Sequence, residues 1–357
     1  MQGLNNPIGI KSLEPNQNPF IINPYRFAGA GGVGGWVQLA RTTLGSSGDT
    51  ITVSSLDDKR YYMILGHGLD TGGTIGMNPR LNGDTDENYA SRQSQNGGSD
   101  TTQTSSAQGR WADTNASDHF GVLYLSNLSS EEKLMIGHSN QQAGTGATAP
   151  SRFEAVSKWT NASNAVNSFT IQNFGTGSYD TNSEVVVLGW DPADTHTDNF
   201  WEELYTDSQT GQSTDNIDTG TFTNKKYLWV QLWCKGTGDT TVKATFNNST
   251  DSTYAYRASN DGGSEITVST LGTNFVLHNT KANDDKFVNM FIVNDGTNEI
   301  LGIAHTAEGN SDGASVAPQR RETAFKRSTA TAITDIEFDN DDSGSFTDWE
   351  LRVWGSN

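Results

Sequence analysis

The sequence predicts an all-β protein: two tandem, homologous antiparallel β-sandwich domains of jelly-roll type, preceded by an extended N-terminal arm. Three observations carry that expectation. First, residues 36–190 recur in degraded form at 201–354. Trp36-Val37-Gln38-Leu39 returns as Trp201-Glu202-Glu203-Leu204, Lys59-Arg60-Tyr61 as Lys225-Lys226-Tyr227, and Ala149-Pro150-Ser151-Arg152 as Ala317-Pro318-Gln319-Arg320. The offset runs from 164 (Trp190 to Trp354) to 168 (Ala149 to Ala317), so small insertions separate the copies. So long a period marks a duplicated domain rather than a solenoid repeat. Second, only 33% of the chain is hydrophobic, yet 10% is aromatic. Abundant Gly, Asn, Ser, Thr and Asp favour turns over helix, and the aromatics supply cores that a disordered chain lacks. Third, no stretch keeps a 3.6-residue apolar period for three turns, so long helices are excluded.

The elements follow in order. Residues 1–34 are rich in Asn, Pro and Gly, and their prolines forbid helix. Within this arm lies one apolar patch, Phe20-Ile21-Ile22 followed by Tyr25-Arg26-Phe27. A Gly-rich spacer leads from it to Trp36. The arm is expected to anchor on a neighbouring subunit or partner as an added strand; packing back on its own domain is the plainer alternative. The first module spans 35–192, with strands expected at Thr50–Val53, Arg60–His67, Phe120–Leu125, Lys133–His138, Phe169–Asn173 and Val185–Trp190. A polar linker at 193–198 would let each module fold separately while keeping the two close. The second module, 199–357, repeats the order with strands at Tyr227–Trp233, Thr241–Phe246, Val288–Val293, Ile300–His305, Ile333–Phe338 and Glu350–Trp354. About six to eight strands per module suit a sandwich.

Charge narrows the partners. Residues 1–192 hold 17 acidic and 11 basic residues, hence −6; residues 193–357 hold 25 and 12, hence −13. An acidic surface repels nucleic-acid phosphate and anionic lipid. Cys234 is the one cysteine and sits in an apolar run, where it reads as a small buried hydrophobe. Neither a secretory signal nor a membrane-length apolar run is seen, which implies assembly in a cytoplasm.

No set of residues has the spacing of a catalytic apparatus. His138 and His305 recur at equivalent positions, each expected as a structural histidine at a strand end bonded to a loop. Arg92/Arg257 and Arg152/Arg320 recur beside Tyr89/Tyr254 and Glu154/Glu322, as expected of loop-fastening charge pairs. The run Asp339-Asn340-Asp341-Asp342-Ser343-Gly344, followed by Glu350, has the spacing of a calcium loop. That makes Asp339, Asp341, Ser343 and Glu350 candidate calcium ligands; a solvated hairpin is the simpler alternative. Gly97-Gly98 and Gly262-Gly263 read as hairpin turns, with no helix after them to hold a phosphate. Asn115, Asn127 and Asn161 fit the glycosylation triplet, which an Asn/Ser-rich chain produces by chance.

The run Ile22-Asn23-Pro24-Tyr25-Arg26-Phe27, with Trp36, Arg41-Thr42-Thr43-Leu44-Gly45 and Gly48 to Val53, resembles structural proteins of marine and environmental tailed viruses. So do Ile136-Gly137-His138, Ala149-Pro150-Ser151-Arg152 and Glu184 to Asp191. The resemblance covers nearly all of module one and, more weakly, module two. It implies a β-sandwich virion component: a capsid decoration protein, head fibre or tail-associated fibre or knob. Its partners would be capsid or tail subunits, further copies of itself (a trimer foremost) and host-surface glycans. The competing reading is a solitary carbohydrate-binding sandwich, since the chain holds nine Trp. An enzyme would need paired carboxylates in a cleft, and the sequence places none face to face.

Overall fold

The computed structural model describes residues 35–192, 194, 199–282, 285–309 and 317–357, the side chains of 279–282 apart. The first module contains β1 (Val37–Thr43), β2 (Thr50–Ser54), β3 (Tyr61–Gly68), β4 (Asn78–Leu81), β5 (Tyr89–Gln95) and β6 (Thr101–Ser106). It continues with β7 (His119–Ser126), β8 (Lys133–Gln141), β9 (Ser151–Trp159), β10 (Ser168–Gln172) and β11 (Glu184–Trp190). The second contains β12 (Glu202–Gln209), β13 (Asn216–Asp218), β14 (Tyr227–Thr237), β15 (Asp239–Phe246), β16 (Tyr254–Asn260) and β17 (Ile266–Gly272). Then come β18 (Phe275–Ala282), β19 (Lys286–Val293), β20 (Ile300–Glu308), β21 (Gln319–Arg327), β22 (Ile336–Asp339) and β23 (Ser345–Ser356). No helix among the described residues is long and apolar enough to cross a membrane.

All pairings between these strands are antiparallel. The large sheet of module one, β1-β11-β3-β7-β8-β9-β5-β6, returns strand for strand as β12-β23-β14-β19-β20-β21-β16-β17. The small sheets are β2-β10-β4 and β13-β22-β15-β18, so β18 is an addition of module two. Every strand expected from sequence is present, but each module has more than six to eight. The missed ones, such as β5 (YASRQSQ), β6 (TTQTSS) and β21 (QRRETAFKR), carry polar or charged side chains, which hid their alternation. Register also corrects one match between the copies. Leu188 pairs with Met63 and Trp354 with Trp229, so Trp354 corresponds to Leu188 rather than to Trp190.

Each module buries its own core between its large and small sheets. In module one that core holds Trp111, Tyr62, Ile64, Leu123, Trp159 and Ile171. In module two it holds Leu228, Val230, Phe246, Phe275, Phe325 and Phe338. Tyr89 and Tyr254 begin β5 and β16 and accept equivalent bonds, from the Leu81 amide at 2.8 Å and the Phe246 amide at 2.7 Å. The Asn96-Gly97 and Asp261-Gly262 turns have positive φ at both residues, which fits hairpin turns of the primed type.

A third core lies between the modules. Met63, Leu65, Phe120, Val122, Val186 and Leu188 of one large sheet pack with Trp201, Tyr227, Phe291, Val293, Leu301 and Ile303 of the other module. The linker was expected to let each module fold separately while keeping the two close; most of it, 193 and 195–198, lies outside the described residues. The two large sheets pack face to face and bury apolar surface that neither module covers alone.

Candidate functional site

The seam between the large sheets gathers the side chains that recur in both copies. Successive strand residues point to opposite faces, so β8 turns Leu134, Ile136, His138 and Asn140 to the seam side and Met135 to its own core. β20 does the same with Leu301, Ile303 and His305. His138 and His305 meet edge to face with ring centroids 4.3 Å apart. They stand mid-strand, not at strand ends bonded to loops as expected. Burial and the nearby Arg152 guanidinium push His138 down to about 4. Burial, His138 and Arg152 push His305 down to about 3. Both rings are therefore neutral at neutral pH.

Beside them, Arg152 leaves β9 buried, with 5% of its side chain exposed. It pairs with Glu154 on its own strand, with Glu322 across the seam at 3.3 Å, and with Glu265 at 3.1 Å. Its counterpart Arg320 pairs with Glu322 but is 63% exposed. Arg257 donates to the Pro150 carbonyl at 2.9 Å, again across the seam. Arg152 and Arg257 thus fasten module to module, whereas Arg320 and Arg92, which pairs with Asp100 at 3.3 Å, keep to their own modules.

Two further clusters close the seam. Glu184 accepts from Thr43 Oγ1 at 2.5 Å and from the Tyr227 hydroxyl at 2.7 Å, and pairs with Lys226 at 3.1 Å. Burial opposes its ionisation, but these bonds and Lys226 and Arg41 outweigh it and hold it below the usual carboxylate range. At the other side, Lys326 pairs with Glu299 at 3.1 Å, and Glu299 accepts from Gln142 Nε2 and the Gly146 amide, each at 2.7 Å. Asn140 Nδ2 donates to the Gly302 and Phe325 carbonyls at 2.9 and 2.6 Å. Next to the histidines opens a groove of about 390 Å³ lined by residues of both modules, among them Arg92, Ile136, His138, Val156, Arg320 and Glu322.

The modules meet off-centre along their strands. In module one the half of the sheet bearing His67, Glu184 and Phe120 is covered; Phe120 stacks on Tyr227 at 6.4 Å. By strand register those residues correspond to Trp233, Glu350 and Phe287 of module two. Trp233, Glu350 and Phe287 are exposed. Conversely Tyr227, Leu301 and Ile303 of module two are covered, while their counterparts Tyr61, Leu134 and Ile136 are exposed.

The other residues singled out from sequence fall as follows. Phe20, Ile21, Ile22, Tyr25, Arg26 and Phe27 lie outside the described residues. The calcium candidates are not brought together. Asp339 ends β22 in the small sheet and accepts from Asn216 at 3.1 Å, whereas Glu350 lies in the large sheet opposite Trp233 and pairs with Arg352 at 2.9 Å. Asp341 pairs with Lys243, and nothing places Ser343 beside either of them. Among the described residues no group of three or more His, Cys, Asp or Glu converges to hold a metal. Asn127 is buried, donating to Asp58 and the Lys59 carbonyl at 2.9 Å each, so it is closed to glycosylation. Cys234 is buried, and burial pushes its thiol up to about 12.

One cluster gave no sequence signal. His278, Lys286 and Glu308 are buried together, with Glu308 3.3 Å from His278 and 3.2 Å from Lys286. The register equivalents of Lys286 and Glu308 are His119 and Gln141, so the pair is absent from module one and the repeat could not mark it.

No protein-family model and no curated protein sequence matches this chain. Solved structures align with it, among them two laminin fragments. The LG1-3 region of the laminin alpha2 chain shares 7% identity over 86% of this chain, with a TM-score of 0.22. Domains LG4-5 of the mouse laminin alpha1 chain share 10% identity over 89% of this chain and 89% of that one, with a TM-score of 0.20. The chain spans 64% of the first structure. At these scores the likeness carries no argument, and the all-β sandwich assignment rests on the strand pairing itself.

Proposed function

We propose that this chain is a non-enzymatic structural component of a virus particle, its two sandwiches acting as one block and its N-terminal arm as the tether. One observation carries the reading. Three sets of side chains that recur in both copies meet across the seam, His138 against His305, Arg152 against Glu322 and Arg257 against the Pro150 carbonyl, so the duplication has been spent on rigidity. The resemblance to tailed-virus structural proteins supplies the setting. Light scattering on the full chain and on a chain lacking residues 1–34 tests it. Association of the full chain into larger assemblies supports the reading, and strict monomers at every concentration count against it.

A second reading is a carbohydrate-binding role, and it too has a specific observation behind it. Trp233 and Phe287 are exposed cross-strand neighbours. Beside them Asn289 accepts from Trp229 Nε1 at 2.7 Å and Gln231 Nε2 at 3.2 Å. An aromatic platform edged by amides suits a pyranose ring and its hydroxyls. Binding on a glycan array that Trp233→Ala abolishes would favour this reading.

A further inference from the structure

We propose that a second copy of this chain docks head to tail. It sets the uncovered half of its module-two sheet on the uncovered half of the first copy's module-one sheet. The inference rests on the structural reading above and names the partner that reading leaves open.

One such fit already exists inside a single chain. The half-sheet bearing His67, Glu184 and Phe120 packs on the half-sheet bearing Tyr227, Leu301 and Ile303. The offset of the modules leaves one half-sheet of each kind uncovered by any of the described residues. On module two it bears Trp233, Glu350 and Phe287; on module one it bears Tyr61, Leu134 and Ile136. Strand register makes the first set the counterpart of His67, Glu184 and Phe120. It makes the second set the counterpart of Tyr227, Leu301 and Ile303. The free halves are thus copies of two surfaces that fit each other.

Their chemistry follows the same pairing. Leu134, Ile136 and Phe287 are 57%, 51% and 43% exposed. Large apolar side chains clustered on a sheet face mark a contact surface rather than ordinary solvent exposure. Inside the chain, Lys226 lies over the Tyr227 ring at 5.6 Å and pairs with Glu184. On the free half, Arg60 lies over the Tyr61 ring at 5.7 Å in the same way. Its partner by equivalence is Glu350, half-exposed and now paired with Arg352. The cation on one free half thus faces an acid on the other. A third parallel concerns what the seam has covered. Lys326 and Glu299 are buried under residues 142–146, whereas their counterparts Lys158 and Glu132 pair at 3.0 Å with both side chains 43% exposed. Because the two docking surfaces differ, the contact is heterologous and repeats from copy to copy until a ring closes or a filament grows.

Two single substitutions on the full chain test it, each at an exposed position: Ile136→Glu on module one and Phe287→Glu on module two. Mass is read by light scattering from about 1 μM to about 1 mM, the range of weak to moderate contacts. The wild-type chain is expected to grow in mass with concentration, and each variant to stay monomeric. An equimolar mixture of the variants is expected to stop at a one-to-one dimer, because each retains the face that the other has lost. The charge reversal Arg60→Glu is expected to weaken assembly, and adding Glu350→Arg to restore it. Variants that assemble like wild type, or a mixture that stays monomeric, overturn the proposal. If assembly depends on residues 1–34 and ignores both face substitutions, the structural function stands and this inference falls. If the wild-type chain never assembles, both fall.

Discussion

The two modules share a strand order but not a core. Module one seats Trp111 against Gly66, Gly121 and Gly137, where any Cβ would lie within 3 Å of the indole. The register equivalents in module two are Leu232, Val288 and Ala304, which fill that space themselves. After β17 the chain runs as the extra strand β18, burying Phe275 and Leu277, and Phe275 stacks on Phe325 at 4.0 Å. Interiors tolerate such exchanges when volume is conserved. The seam teaches the opposite lesson. There His138/His305, Arg152/Arg320 and Glu154/Glu322 are unchanged between copies, yet their surroundings differ because the modules meet off-centre. Identity is kept and environment is not, so equivalent substitutions should have unequal effects.

The largest inequality is expected at the arginines. Arg152→Ala removes the cation that Glu154 and Glu265 pair with, leaves Glu322 only the exposed Arg320, and should cost about 3–5 kcal/mol. Arg320→Ala removes an exposed partner and should cost no more than about 1 kcal/mol. Urea unfolding of both variants compares them directly, and equal losses would break the comparison.

A smaller effect is expected from the histidines. In the unfolded chain they take up protons as pH falls through about 6.5, but in the folded chain His138 waits until about 4 and His305 until about 3. The unfolded state binds more protons in that window, so their contribution is intact above 6.5 and is lost as pH falls toward 4. Asp118 and Asp335, raised to about 6 by burial first of all, act in the opposite sense, since their contribution is lost as pH rises through 6. Replacing one seam histidine, His138, with Gln isolates its share: the stability difference between pH 7 and pH 4.5 should shrink by on the order of 2 kcal/mol. An unchanged pH profile would show that the ring is not held neutral.

The smallest effect sharpens the comparison from the other side. Lys158→Ala, at the exposed pair with Glu132, should change stability by less than about 1 kcal/mol. Lys326→Ala, at the covered pair with Glu299, should cost several times more.

Much of the fold was legible in sequence, because apolar runs such as Tyr61–Leu65 and Val185–Leu188 carry strands and the long repeat carries the duplication. Strands such as β9 and β21 were not legible, since Arg152, Glu154, Arg320 and Glu322 break their apolar pattern in the service of the seam. The repeat also flagged the histidines and arginines that build the site. What it could not show was the offset. Whether Tyr61 or Tyr227 is covered depends on how two finished sheets meet, and neither residue's local sequence differs enough to tell. The calcium spacing misled because a linear count ignores that Asp339 and Glu350 belong to different sheets.

The offset is the centre of this account, and hydroxyl-radical footprinting of the full chain at low concentration tests it most directly. Tyr61 and Phe287 should be labelled while their counterparts Tyr227 and Phe120 stay protected. Equal labelling within each pair would mean that the modules do not meet off-centre, and the account of the seam would be wrong.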